Sequence, residues 1–237
     1  MQPFNIVVLT GAGVSAESGM GTFRDKDGLW TRHRIEDVAT PEAFARDPER
    51  VQGFYNQRRA ALKTAVPNAA HVALAELEQA VLAAGGAFLL ITQNVDDLHE
   101  KAGSRAILHM HGELASALCA ECGWREAWRE DLYADMECWR CGERGSLRPD
   151  VVWFGEMPYR MEEVWTALDA CDLFVSIGTS GEVYPAAGFV REAARAGART
   201  VELNLEPSAN ASDFDEGRYG PASVVIPSWV AELIQPG

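Results

Sequence analysis

Asn5-Ile6-Val7-Val8-Leu9-Thr10-Gly11-Ala12-Gly13-Val14-Ser15-Ala16 is a short aliphatic run that breaks directly into a glycine-rich hexapeptide. A run this short with hardly a polar residue in it reads as a strand buried on both faces, as in parallel sheets. Gly11 to Ala16 then satisfies the G-x-G-x-x-G/A pattern in its required place, after a strand and before a predicted helix. Glycines let the backbone approach a pyrophosphate, and a helix N-terminus supplies N–H groups and partial positive charge. The loop therefore predicts anion binding without a lysine, and a tight strand-to-helix turn with no ligand is the plainer alternative. No Gly-Lys-Ser/Thr follows, which excludes a P-loop.

Similar runs recur at Ala87 to Thr92, Ala106 to His109, Leu173 to Ile177, Thr200 to Leu203 and Ser223 to Ile226. Helical patterns lie between several of them: Asn68 to Ala84, stopped by Gly85-Gly86, then Glu162 to Ala170, then Ala186 to Ala196, stopped by Gly197. Ser208 to Gly220 reads as a loop. Strand alternating with helix implies an open α/β sheet. Two stretches break the rhythm, one with short helices punctuated by Pro41 and Pro48, the other carrying cysteines. The expected fold is α/β: a Rossmann-like parallel-sheet domain from 1–22, 67–112 and 149–237, with a smaller domain made of a helical insertion, 23–66, and a zinc-binding insertion, 113–148.

Cys119-x-x-Cys122 and Cys138-x-x-Cys141, with fifteen residues between the pairs, have the spacing of a tetrahedral zinc site. Four thiolates close the coordination shell, so the predicted zinc is structural and holds the insertion together. Cys171 stands alone before a strand and reads as a buried, inert thiol.

Among the 237 residues, 21 Lys+Arg face 35 Asp+Glu, a formal net charge of -14 that repels the phosphate backbone and argues against direct nucleic-acid binding. With 47% hydrophobic and 24% charged residues, disordered and collagen-like chains are excluded. No window approaches the apolar length of a membrane helix, and the Ile6 to Leu9 run lacks the basic flank of a signal peptide. The expectation is a cytoplasmic protein with no membrane partner, in which cysteine pairs bind metal rather than form disulfides.

A dehydrogenase would present a second strand bearing an acidic residue about 20 positions on. Phe23-Arg24-Asp25-Lys26-Asp27-Gly28 instead reads as a loop, so the nucleotide is expected to be held by other accessories. Gly11 to Ser15 continuing to Ser18-Gly19 and Phe23-Arg24, then Thr92-Gln93-Asn94-Val95-Asp96-Asp97-Leu98-His99, His111-Gly112, the two cysteine pairs and Gly178-Thr179-Ser180 resemble the sirtuins, NAD-dependent protein lysine deacylases. The motifs span nearly the whole chain in order. His109 to Leu114, Val151 to Pro158 and Gly178 to Gly188 resemble the bacterial branch in particular.

The resemblance implies that NAD is a consumed co-substrate and acyl-lysine in proteins or peptides the partner, with nicotinamide and O-acyl-ADP-ribose as products. It implies NAD contacts from Gly11, Ala12, Gly13, Ser15, Phe23 and Arg24; from Gln93, Asn94 and Asp96 on the nicotinamide side; and from Gly178, Thr179, Ser180, Asn204, Leu205, Glu206 and Ala222 on the adenosine side. Asn94 has a second reading, as a cap for the helix that begins near Asp96. His111 matches the general base, whose near-neutral imidazole takes a proton from a ribose hydroxyl. His109 is its competitor, but only His111 precedes Gly, as the family pattern requires.

Val152, Phe154 and Gly155 match the segment that pairs with the substrate peptide by strand addition. Tyr55 and Arg58, at i and i+3 of a predicted helix Arg50 to Leu62, share a face. Spacing alone suits a packed Tyr beside a solvated Arg58-Arg59 pair. Phe54-Tyr55-x-x-Arg58 nevertheless resembles the acyl-pocket motif of sirtuins that accept succinyl-, malonyl- or glutaryl-lysine as well as acetyl-lysine, because a guanidinium and a phenol can hold a carboxylate. Two alternatives share the same residues: mono-ADP-ribosyl transfer to a protein nucleophile, and a zinc-ribbon module that binds NAD without turnover.

Overall fold

β1 (Ile6–Thr10) is buried at all five positions and pairs in parallel with β2 (Phe88–Thr92) on one side. The structure, a computed structural model, describes residues 4–21 and 34–234. β2 continues in parallel to β3 (Ile107–His109). On its other side β1 pairs with β7 (Leu173–Ile177), which leads to β8 (Arg199–Asn204) and β9 (Glu216–Tyr219), giving a parallel sheet in the order β3-β2-β1-β7-β8-β9.

Alternation along β1 sends Ile6 and Val8 to one core and Val7 and Leu9 to the other. The first core lies under α4 (Ala69–Ala83) and α8 (Ala222–Ile234), with Leu74, Leu77, Ile226, Trp229 and Val230 buried there. The second lies under α6 (Met161–Ala170) and α7 (Phe189–Ala196), through Val164, Leu168, Phe189 and Val190. Burial on both faces is why the strands read as continuous apolar runs. α4 starts where its cap predicts: Asn68 Oδ1 accepts from the Ala70 N–H at 2.9 Å.

One expected strand is not one. Ser223 to Ile226 lies inside α8, and the sixth strand, β9, comes from the stretch read as a loop. The run Val224-Val225-Ile226 has strand-like composition, yet Ile226, Trp229 and Val230 repeat at helical spacing and meet α4. β9 escaped the pattern because it is a short, half-exposed edge strand whose Glu216 and Arg218 are charged.

The remainder forms a second body. Three helices, α1 (Ile35–Val38), α2 (Pro41–Arg46) and α3 (Pro48–Leu62), follow one another. Pro41 and Pro48 occupy first-turn positions after capping by Thr40 and Asp47, so the prolines start helices rather than break them. A separate antiparallel sheet, β5-β4-β6, is built from β4 (Gly112–Cys119), β5 (Arg125–Ala127) and β6 (Leu147–Val151). Phe54 and Tyr55 of α3 pack with Leu114, Val151 and Trp153, tying helices and small sheet into one core.

Candidate active site

Strand order reverses between β1 and β7, and ligands of open α/β sheets bind outside the carboxyl ends at that switch point. The glycine loop emerges there. Gly11 N–H donates to Ile177 O and Gly13 N–H to Gly178 O, each at 2.9 Å. The two backbones are so close that a Cβ on Gly13 would stand 2.7 Å from the Gly178 Cα, and Gly178 itself has φ +62. The predicted helix that follows, Ala12–Ser18, is a 3₁₀ helix. Beside it opens a cavity of about 860 Å³.

Gln93 and Asn94 leave β2 into the same cavity. Asn94 does not cap a helix. Its Nδ2 donates to Gly11 O and Ser15 Oγ, each at 3.1 Å, clamping the strand end to the glycine loop. α5 (Leu98–Ala102) begins later, with Asp96 Oδ1 accepting from Leu98 N–H at 3.2 Å. Asp96 and Ser15 lie buried behind the wall, and burial pushes the Asp96 pKa up, against hydrogen bonds from Leu98 and Ser15. Beneath them His71 Nε2 sits 3.3 Å from Ser15 Oγ and His99 Nε2 sits 3.1 Å from Thr10 Oγ1. Neither histidine stood out in the sequence, although a polar residue on the Ala/Leu face of α4 was the available signal for His71.

His111 and His109 are separated by environment. His111 lines the cavity, with Nδ1 3.3 Å from Gln93 O, and burial lowers its pKa to about 4. A carbonyl only accepts, so Nδ1 carries the proton and Nε2 keeps its lone pair. His109 turns away to Glu100 Oε1 at 2.6 Å; burial opposes its charge, but that carboxylate outweighs it and raises its pKa.

Val152, Phe154 and Gly155 line the cavity next to His111, and Val152 N–H donates to His111 O at 2.9 Å. Across from them α3 presents Tyr55 and Arg58 to the same space. The solvated Arg58-Arg59 pair does not form: Arg58 is half-buried in the cavity wall, while Arg59 is buried and donates through Nε to Leu114 O at 2.9 Å. Desolvation lowers the Arg58 pKa, with Tyr55 and Asp96 acting the other way. Burial pushes the Tyr55 hydroxyl up to about 12, so it stays protonated. Trp153, quoted in the sequence only as part of a motif, proves buried, with its indole N–H on Tyr55 Oη at 3.0 Å.

On the far side of the glycine loop, Gly178, Thr179, Ser180, Asn204, Leu205, Glu206 and Ala222 line the cavity together. Asn204 Nδ2 donates to Thr179 O at 2.8 Å, which fixes the ends of β7 and β8 against each other. Glu17 accepts from Ser223 N–H at 3.0 Å and so joins the start of α8 to the helix after the glycine loop.

Away from the cavity, Cys119, Cys122, Cys138 and Cys141 bring their sulfurs within 4.8 Å of one another. Cys119 and Cys141 Sγ are 3.8 Å apart and Cys122 and Cys138 Sγ 3.9 Å. A tetrahedron of sulfurs about 2.3 Å from zinc has edges of about 3.8 Å, the length that two of the six sulfur–sulfur separations already have, so this donor set fits the ion. Cys171 is buried as expected.

The Sir2 family model matches residues 11–185. The chain belongs to the Sir2 family. Among Sir2-related proteins, an "NAD-dependent protein deacylase" of Caulobacter vibrioides is 59% identical over 231 residues, covering 97% of this chain and 96% of that protein. One of the same description from Salmonella typhimurium is 56% identical over 237 residues, 99% of this chain and 86% of the relative. A solved Sir2 homolog–NAD complex superposes with a TM-score of 0.87 at 40% identity, covering 98% of this chain and 91% of that one. A Sir2 protein bound to a myristoylated histone peptide gives 0.73 at 32% identity, covering 97% and 90%. The Sir2 cavity of this chain brings together every sequence-predicted nucleotide, base and acyl-pocket residue among the described residues, except Ser15 and Asp96, which brace it from behind. Phe23 and Arg24 lie outside the described residues.

Proposed function

We propose that this chain is an NAD-dependent protein lysine deacylase that removes acetyl and succinyl groups, with malonyl and glutaryl groups in the same acidic class. One observation carries the reading: a single cavity at the β1/β7 switch point has the glycine loop, His111 and the Tyr55-Arg58 pair in its wall. The deacylase description of its relatives and the NAD and acyl-peptide complexes of its structural neighbours support the same reading.

Bound NAD supplies an electrophilic ribose C1′ that accepts the acyl oxygen as nicotinamide leaves, and the acyl group ends on ADP-ribose. The Gly11-Ala12-Gly13 backbone borders the pyrophosphate; the Gly11 and Gly13 N–H groups are already bonded to Ile177 O and Gly178 O, so these glycines serve by keeping side chains out of the ligand's approach. Gln93 and Asn94, backed by Asp96 and Ser15, orient the nicotinamide and its ribose; Thr179, Ser180, Asn204, Leu205, Glu206 and Ala222 hold the adenosine end. Phe23 and Arg24 are assigned to shielding and nucleotide contact on their motif alone. His111 Nε2 takes a proton from a ribose hydroxyl, a role that requires the neutral imidazole its buried position favours. Val152, Phe154 and Gly155 pair with the peptide backbone, which gives affinity with loose sequence demands. Tyr55 and Arg58 donate to the distal carboxylate of an acidic acyl group.

The Cys119, Cys122, Cys138 and Cys141 set holds zinc as a structural ion. The domain boundaries 1–22, 67–112 and 149–237 against 23–66 and 113–148 suit this division of labour. No helix among the described residues is long and apolar enough to cross a membrane, and we assign the protein to the cytoplasm without a nucleic-acid partner.

Acetyl-, succinyl-, malonyl- and glutaryl-lysine peptides incubated with and without NAD test the reading, with the small products identified by mass spectrometry. Nicotinamide and O-acyl-ADP-ribose in equal amounts are expected. ADP-ribose attached to protein, with no O-acyl-ADP-ribose, would transfer the site to mono-ADP-ribosylation, and no nicotinamide release would leave a binding module.

A further inference from the structure

We propose that Trp153 is a specificity-determining residue that fixes the Tyr55 hydroxyl as a hydrogen-bond donor to the carboxylate of an acidic acyl-lysine. The inference rests on the acyl-pocket reading of Tyr55 and Arg58 and adds to it a residue that decides which way the phenol points its proton.

Indole Nε1–H donates and cannot accept. Trp153 Nε1 lies 3.0 Å from Tyr55 Oη, so the phenol oxygen is the acceptor in that bond. The phenol proton must then go elsewhere. Arg58, the charged neighbour of Tyr55 in the cavity wall, is also a donor only, and its guanidinium repels that proton rather than receiving it. The Tyr55 hydroxyl is therefore left as a donor in the cavity wall, and it demands an acceptor from the ligand. A carboxylate at the end of the acyl chain meets that demand, whereas the methyl of an acetyl group does not.

The indole is itself held for this task. Arg148 places its guanidinium 3.4 Å from the Trp153 ring centroid, and a cation over the π face strengthens the N–H as a donor. Glu156 fixes that guanidinium through two bonds, 2.6 and 2.9 Å, and also accepts from the Trp153 backbone N–H at 2.7 Å. Arg148 and Trp153 are both buried, so water does not compete for these bonds. Trp153 also lies between Val152 and Phe154, so the acyl pocket and the peptide-pairing segment share a residue.

A double-mutant cycle of Trp153→Phe and Tyr55→Phe, assayed with succinyl- and acetyl-lysine versions of one peptide, tests the inference. Trp153→Phe is expected to lower the succinyl-over-acetyl ratio of kcat/KM about three- to tenfold, the size of one lost neutral hydrogen bond, mainly through KM. Calorimetric titration of the succinyl peptide should show the same weakening. In the Tyr55→Phe background the further loss from Trp153→Phe should disappear, since no hydroxyl remains to be oriented. If the ratio does not move, or moves as much without the hydroxyl as with it, Trp153 only packs and the inference is wrong. If Tyr55→Phe and Arg58→Met themselves leave the ratio unmoved, the acyl-pocket reading falls and takes this one with it. Should the Phe variant melt early, Trp153→Met, whose flexible side chain fills the space without an N–H, enters the same cycle.

Discussion

His111 and His109 stand two residues apart and are driven toward opposite protonation states: burial, outweighing the bond to Gln93 O, favours the neutral ring of the first, and the Glu100 carboxylate, outweighing burial, favours the charged ring of the second. His111→Ala is expected to lower acyl transfer by roughly 10²- to 10⁴-fold with NAD binding largely retained, because a base acts only after nicotinamide has left. If His109→Ala were the dead variant and His111→Ala the active one, the assignment would be reversed. Arg58→Met removes a charge-assisted bond of roughly 1.5–3 kcal/mol, so kcat/KM for succinyl-lysine should fall about 10- to 150-fold. The change should appear mainly in KM, since the distal carboxylate is held alike in ground and transition states, and deacetylation should suffer far less. Equal losses for both acyl groups would return Tyr55 and Arg58 to the role of packing residues.

Two elements carry the site, and each has its own weak point. The glycine loop works because β1 and β7 end side by side with no side chains between them. Gly13→Ala would push a methyl to within 2.7 Å of the Gly178 Cα and 2.9 Å of its carbonyl oxygen, and backbone there cannot yield as a side-chain tip would. The expected outcome is weaker NAD binding by titration together with a lower melting temperature; unchanged values for both would mean that the strand ends spread freely. The cysteine-bearing insertion has a small apolar core in which Ala117, Leu132 and Leu147 pack around Cys119 and Cys138. Zinc must supply much of its order. Replacing Cys141 or stripping the metal is expected to lower thermal stability and to abolish turnover through the fold. Metal-free protein with the original melting curve and the original turnover would sink the structural role.

At the scale of the whole molecule, two histidines among the described residues, His71 and His99, are buried in neutral form, and the half-buried His111 is held neutral with them. Burial lowers the pKa of His71 and of His111 to about 4, and takes His99 well below its ordinary value. In the unfolded chain each titrates near about 6.5, so unfolding takes up protons below that pH. Their contribution is therefore fully present above about pH 6.5 and drains away as the pH falls toward 4. His109 has the opposite sign: its raised pKa stabilises the fold below about pH 6.5 and that help is lost as pH rises through the folded value. Thermal unfolding followed at pH 7, 6 and 5 is expected to show a melting temperature that declines steadily over this range. A flat profile would falsify the neutral burial of these rings.

The chain's order of motifs was enough to determine the α/β class and the zinc knuckles, because each rests on local rules, while the family resemblance carried the nucleotide, base and acyl-pocket residues, about half of the cavity lining. A strand buried on both faces must be apolar throughout, a glycine loop must follow it directly, and two C-x-x-C turns each bring a pair of thiolates together. β9 and α8 were misread because an exposed edge strand has no apolar signature and a β-branched run suits helix or strand until a packing partner is known. The opposite surroundings of His109 and His111, the exchange of roles between Arg58 and Arg59, and the Trp153–Tyr55 bond were decided only by tertiary structure. These are questions of which side of an element meets solvent, a carboxylate or a cavity. Residues 98 positions apart settle the polarity of one hydroxyl, and no local pattern records that meeting.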